Sequence, residues 1–275
     1  MLRQISLQDS VVYGPVQSRR LGSSLGINPL PVSYKLCSSN CVYCQYGWTL
    51  PTHQAVRSAA HGTPSPARTV PARSPERVKR AAALLTEIEA AFREHAEQGT
   101  PVDCITLAGN GEPTLHPDLE ELIVGITRLR DRYFPSAKVG ILSDATQLHR
   151  PEVARALQWL DARYMKVDAG DEATWRAINL PLGDADWTRM IEGLKRLPGI
   201  ILQSMFIQGS CDNTREDHLD RWIALAGELR PLSVQVYTVD RAPADAGVVK
   251  VPRERLEAIA SRLTAQTGIP AEVYD

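Results

Sequence analysis

From Val102 to the end of the chain, short apolar runs rich in β-branched residues alternate with longer stretches of helical periodicity. That alternation is the sequence form of repeated βα units around a parallel sheet. Strands are expected near 103–108 (DCITLA), 138–142 (KVGIL), 163–167 (RYMKV), 200–207 (IILQSMFI) and 233–237 (SVQVY), and SYKLC at 33–37 supplies one ahead of them. Helices are expected over 117–133, 151–160, 185–197, 215–229 and 252–266. A further helix should open at Ser74-Pro75-Glu76, with proline at the first helical position, and run through Glu94. The closing AEVYD reads as an edge strand. Six βα units suit an open doubly wound sheet or a partial barrel, and in both the chemistry gathers at the carboxyl ends of the strands. The sequence contains no internal repeat and no domain linker, so its 275 residues are expected to form a single domain, with 241–275 adding a C-terminal helix and the edge strand.

Of five cysteines, Cys37, Cys41 and Cys44 are crowded into KLCSSNCVYCQYGWT, directly after the first expected strand. The start of the chain has no apolar core of signal-peptide length, and no stretch approaches the ~18 apolar residues of a membrane span. A cytoplasmic protein without membrane contact is therefore expected, and in that compartment clustered cysteines point to metal or redox chemistry before disulfides. Net charge is −1, which excludes the strongly basic surface of many nucleic-acid binders. One segment departs from this balance: Arg57, Arg68, Arg73, Arg77, Lys79 and Arg80 stand within 51–80 with Glu76 as the only acid, His53 and His61 beside them. Residues 50–74 are also rich in Pro, Ser and Ala, the composition of a solvated insertion.

The spacing CxxxCxxC lets one loop wrap one metal centre. A cubane iron-sulfur cluster takes four ligands, so three thiolates leave one iron open. The bare spacing also fits a zinc site completed by a histidine such as His53. A second motif, LAGNGEPTLHP at 107–117, ends an expected strand with two glycines around Asn110, where backbone can approach a ligand closely. LSDAT at 142–146 and KVDAGD at 166–171 end the next two strands with polar side chains, and alternation puts Lys166 and Asp168 on one face. Gln203 and Met205 share a face by the same rule, with Met205 and Tyr237 reading as core. Arg19 and Arg20 are candidates to clamp a substrate anion or to pair on the surface.

CxxxCxxC with an aromatic residue, here Tyr43, before the last cysteine resembles the signature of the radical S-adenosylmethionine superfamily. The resemblance covers about residues 11–240. YGPVQSRRLGSSLG and GNGEPTLHP bring it closest to the branch of the wyosine-base and molybdenum-cofactor enzymes. It implies an α/β fold, a partial (β/α)6 barrel, in which Cys37, Cys41 and Cys44 hold a 4Fe-4S cluster whose open iron is chelated by S-adenosylmethionine. Reductive cleavage would then yield a 5′-deoxyadenosyl radical that takes hydrogen from substrate. It further implies cofactor contacts from Tyr43, Gly109, Asn110, Gly111, Glu112, Ser143, Lys166, Asp168 and Gln203, with Glu112 near the amino group and Asp168 near the ribose. Asn110 stands where the family has its first glycine, and Asp144 where many relatives have Asn. An electron donor such as flavodoxin or ferredoxin is implied as partner. A tRNA base, a small molecule or a peptide remain the substrate classes, and a non-catalytic metal module that binds a partner or RNA is the alternative.

Overall fold

The computed structural model describes residues 5–49 and 76–275. Arg57, Arg68, Arg73, His53, His61 and the Ser74-Pro75 helix start lie outside them. The first two strands, β1 (Val12–Ser18) and β2 (Gly22–Ile27), form an antiparallel hairpin. After it come α1 (Ala81–Glu97), β3 (Cys104–Leu107), α2 (Leu119–Tyr133), β4 (Lys138–Ser143), α3 (Pro151–Ala156), β5 (Ala162–Lys166), α4 (Glu172–Asn179), α5 (Trp187–Arg196) and β6 (Ile200–Met205). The chain continues through β7 (Ile207–Gly209), α6 (Glu216–Leu229), β8 (Ser233–Tyr237), β9 (Val248–Lys250), α7 (Arg253–Thr267) and β10 (Ala271–Tyr274). One sheet runs β1-β2-β3-β4-β5-β6-β8-β10, parallel from β2 onward, and β7 with β9 makes a separate antiparallel ribbon.

This order decides between the two architectures open to the sequence. A doubly wound sheet reverses its strand order at a switch point; here the order never reverses, as in a barrel that stops before closure. Alternation along each strand separates two environments. Val139, Ile141, Met165, Leu202, Val234 and Val236 pack outward with Leu84, Ile88, Phe92, Leu122, Ile126 and Trp222 of the helices in one buried cluster. The inner face is polar: the Ser24 and Thr106 hydroxyls lie 2.8 Å apart, and Gln203 donates to Gln235 at 2.7 Å. Lys166, Gln203 and Gln235 stand in register across β5, β6 and β8, so the inner wall at that level carries one cation and two amides side by side.

Two expectations are corrected. SYKLC is not a strand; only Leu36 makes a single bridge, to Gly111. Pro29 and Pro31 follow β2, and the backbone N–H groups of Val32 and Ser33 donate to the Glu76 carboxylate at 3.1 and 3.0 Å instead of to a ladder. The strand that leads toward the cysteines is GSSLGI. Helix α1 starts at Ala81, with residues 76–80 ahead of it in no regular element.

His116 ties the GNGEPT turn to the chain ahead of α1. Its Nδ1 accepts from the Asp118 N–H at 3.1 Å while Nε2 lies 2.9 Å from the Lys79 carbonyl, an arrangement that the neutral ring satisfies at both nitrogens. Burial holds its pKa below the usual histidine value. A folded-state pKa below the unfolded one means that the unfolded chain binds more protons as pH falls through about 6.5, so this contribution is present above that pH and is lost below it. The urea midpoint of the wild type should therefore fall more between about pH 7.5 and 5.5 than that of His116→Gln. Equal pH dependence of the two proteins would exclude His116 as its source.

Candidate functional site

The carboxyl ends of the strands surround a cavity of about 430 Å³. Cys37, Cys41, Tyr43 and Cys44 line it from the loop after β2, Gly111 and Glu112 from the turn after β3, Ser143 and Asp144 from the end of β4, and Lys166, Gln203, Met205 and Tyr237 from β5, β6 and β8. The cysteine loop is held there by backbone from distant segments. Leu36 donates to the Asn110 carbonyl at 2.9 Å and accepts from Glu112 N at 3.0 Å, while Asn40 and Val42 donate to the carbonyls of Asn179 and Ile178 at the end of α4. A turn from the Cys41 carbonyl to Cys44 N, 3.1 Å, brings the last two cysteines together.

The donor set fits an iron-sulfur centre. Lys35 Nζ donates to Cys44 Sγ at 3.1 Å and Asn179 Nδ2 to Cys41 Sγ at 3.4 Å, the N–H···S contacts that stabilise negative charge on cluster thiolates. Burial, reinforced for Cys37 by the Asp144 carboxylate, pushes the Cys37 thiol well up, and burial pushes Cys41 up to about 11. Among the described residues no three His, Cys, Asp or Glu side chains converge as the ligands of one metal ion do. Thiolates of a cubane each take a different iron, so they need not converge on one point.

Glu112 lies at the centre of a polar network. Its Oε1 accepts from Thr114 N at 3.1 Å and Ser143 Oγ at 2.8 Å, and Oε2 accepts from Asp144 N at 2.6 Å. Asp144 in turn accepts from the hydroxyls of Ser38 and Ser39, 2.9 and 2.7 Å, so the carboxylates after β3 and β4 brace the cysteine loop between them. Burial and the neighbouring Asp144 push the Glu112 pKa up to about 8, against the pull of those hydrogen bonds. A cationic group brought against Glu112 would relieve that strain and ionise it.

Three residues expected at the cofactor stand elsewhere. Asp168 does not line the cavity. Its Oδ2 takes the Tyr43 hydroxyl and Asn179 Nδ2, its Oδ1 takes Met205 N at 2.8 Å and Lys166 Nζ at 3.2 Å, and its side chain has no exposed surface. Enclosed by these donors and off the cavity, it joins the cysteine loop to β5 and β6. Asn110 is also fully buried, its amide spent on Gln8 N, Gln8 O and the Pro31 carbonyl, and Gly109 packs against Asn28; neither lines the cavity. Gly109 thus admits the Asn28 side chain where a ligand was expected. Lys166 does reach the cavity. Burial would lower its pKa, but the Asp168 carboxylate and Tyr237 outweigh this and keep it charged. Its Nζ donates to Tyr237 Oη at 2.6 Å and sits 4.7 Å over the Tyr43 ring.

Lys35, Ser38, Ser39 and Asn179 carried no signal as site residues in the sequence; Asn179 lies 138 positions from the cysteine it touches. Cys104 is buried in β3 beside Thr106, and Cys211 lies against the Ala177 carbonyl, neither of them on the cavity.

Residues 32–221 match the family model of the Radical SAM superfamily. The chain belongs to that superfamily. It is a radical SAM enzyme by class, and such enzymes use a 4Fe-4S cluster and S-adenosylmethionine. Among curated proteins it is similar to a UPF0026 protein of Synechocystis, 30% identical over 240 residues covering 82% of this chain and 74% of the relative. It is also similar to a UPF0026 protein of Helicobacter pylori, 29% identical over 236 residues (84% and 67%), and to a protein named GTPase Obg of Brachyspira hyodysenteriae, 28% identical over 274 residues (97% of this chain, 35% of that protein). The chain thus spans from about a third to about three quarters of these relatives. Two solved structures share the fold: a radical SAM methyltransferase from Sphaerobacter thermophilus (TM-score 0.60, 15% identity, 91% of this chain, 65% of that one) and TYW1 with a lysine-pyruvate adduct bound (0.59, 15%, 90% and 76%). No helix among the described residues is long and apolar enough to cross a membrane.

Proposed function

We propose that Cys37, Cys41 and Cys44 hold the 4Fe-4S cluster of this radical SAM enzyme, that S-adenosylmethionine occupies the adjoining cavity, and that the enzyme abstracts hydrogen from a substrate entering the same cavity. The observation that carries the reading is that the three thiols and the polar ends of β3, β4, β5 and β6 share one cavity. With cluster and S-adenosylmethionine bound, the chemistry supplied is one-electron cleavage to a 5′-deoxyadenosyl radical. The chain's own residues bind and orient. Glu112, buried and braced by Ser143 and Asp144, offers its carboxyl to the amino group of the cofactor; Gln203 and Lys166 present an amide and an ammonium further along the wall. Lys35 and Asn179 hold two of the thiols in position. The electron would come from a flavodoxin- or ferredoxin-type donor. A metal module without catalysis would have no use for the cavity beside the thiols.

Glu112→Gln should keep its iron and weaken S-adenosylmethionine binding by tenfold or more, the loss of a charged hydrogen bond being worth about 1.5–3 kcal/mol. Iron and sulfide analysis of anaerobically prepared protein, with calorimetric titration of S-adenosylmethionine, provides the check. Unchanged affinity would mean that the amino group binds elsewhere.

A further inference from the structure

The wall of the cavity formed by the β1–β2 turn and β8 carries no thiol, and it contains a charge that the cofactor reading leaves unused. Arg20 leaves the hairpin turn, reaches across the open side of the half-barrel and lies with its Cζ 4.4 Å over the Tyr237 ring of β8. Its Nη1 is buried without a hydrogen-bond partner. Among the described residues no carboxylate pairs with it, whereas its neighbours are matched: Arg19 pairs with Asp240 at 3.2 Å, and Arg241 approaches the same carboxylate at 4.0 Å. A buried guanidinium N–H left unsatisfied is costly, and a site that leaves it so is built for an acceptor that arrives from outside.

The guanidinium is also held in place. The Ser18 hydroxyl accepts from the N–H groups of Arg20 and Leu21, which fixes the turn. Tyr237, the surface on which Arg20 stacks, is anchored through its hydroxyl by Lys166, whose Nζ lies 4.8 Å from the same ring. Two cations thus flank one ring on the wall of the cavity, and only one of them, Lys166, has a carboxylate partner. Arginine with its planar fork is the side chain suited to a carboxylate or phosphate in such a place.

We infer that Arg20 anchors the substrate, and that the substrate is a small molecule bearing an oxyanion, a carboxylate or a phosphate monoester, which docks on the guanidinium beside the Tyr237 ring. This rests on the proposed function for the other contents of the cavity. Small size follows because about 430 Å³ must also admit S-adenosylmethionine.

The test titrates the iron- and S-adenosylmethionine-loaded full chain with inorganic phosphate and, separately, with acetate, followed by NMR line broadening of the anion. One of the two should bind saturably to the wild type, and which one does so identifies the source of the oxyanion. Arg20→Gln should weaken that binding about tenfold or more. Arg20→Lys, which keeps the charge and loses the fork, should fall between, and Arg19→Gln, on an exposed pair, should stay within about twofold. Binding by Arg20→Gln equal to wild type, or no saturable binding of either anion, would overturn the inference. Displacement of the bound anion by bulk tRNA would overturn the small-substrate assignment. S-adenosylmethionine affinity and reductant-dependent 5′-deoxyadenosine release, measured on the same preparations, keep the two readings apart: their absence from the wild type sinks the proposed function, and their retention in Arg20→Gln shows that only substrate binding was touched.

Discussion

Cys37→Ala, Cys41→Ala and Cys44→Ala are each expected to lose the iron and all S-adenosylmethionine cleavage, and a triple variant to lose no more than any single one. The three thiols face one cavity from one eight-residue stretch, and ligands that act as a unit do not contribute additively. Alanine leaves two thiolates where the cluster is expected to take three from the chain. Cys104→Ala and Cys211→Ala serve as controls: one thiol is enclosed in β3, the other faces a backbone carbonyl, and neither lines the cavity. Iron and sulfide content, the visible absorption of the cluster and 5′-deoxyadenosine release under reductant measure the outcome. Full cleavage by any one of the three variants would remove the assignment of the cluster to this loop.

Gly111→Ala should damage the protein nearly as severely without touching a ligand. The residue has φ +144°, and a Cβ built there would stand 1.6 Å from the Leu36 carbonyl oxygen, a backbone atom that cannot swing aside. That oxygen accepts from Glu112 N, and the Leu36 N–H donates to Asn110 O, so moving it breaks both bonds that fasten the cysteine loop to the turn after β3. The expected cost is about 4 kcal/mol or more, equal to roughly 10 °C or more in Tm, with poor iron retention as the loop lifts. Gly99→Ala separates the two causes. It shares a positive φ, +65°, but has nothing within 4 Å of the added carbon, so it should cost only about 1 kcal/mol. If Gly111→Ala melted with Gly99→Ala, the steric argument would fail.

What the sequence made legible followed from periodicity. SVQVY is β8 to the residue, and KVGIL and RYMKV each fall within a residue of β4 and β5, because apolar residues recur at alternate positions where each strand packs on the helices: Val139 and Ile141, Met165, Val234 and Val236. GSSLGI escaped for the opposite reason. Of its small polar residues Ser24 faces the polar barrel interior, where it meets Thr106, and glycine and serine carry no strand propensity of their own. Helix α4 is eight residues long, too short for its period to stand out beside KVDAGD. The cavity itself was half legible. Strand-end positions brought Glu112, Ser143, Lys166 and Gln203 to its wall, but nothing in a sequence tells whether an acid at a strand end faces ligand or protein. Asp168 faces protein because Tyr43, Asn179 and Met205 N close on it from three other segments, and Asn110 does so because the segment around Gln8 folds back over it.

The cysteine loop owes its shape to residues that come far later in the chain: Ser38 is bound by Asp144, 106 positions on, Tyr43 by Asp168 after 125, and Cys41 by Asn179 after 138. Contacts of such separation form only once the intervening chain has been ordered, since each long loop must close before its contact can form. A ribosome that has just released the cysteines has therefore made three ordinary thiols on an unshaped segment. On the proposed assignment of the cluster, the receptacle for iron comes into being when α4 docks, about half the chain later, and the expected order of assembly is polypeptide first, metal afterwards.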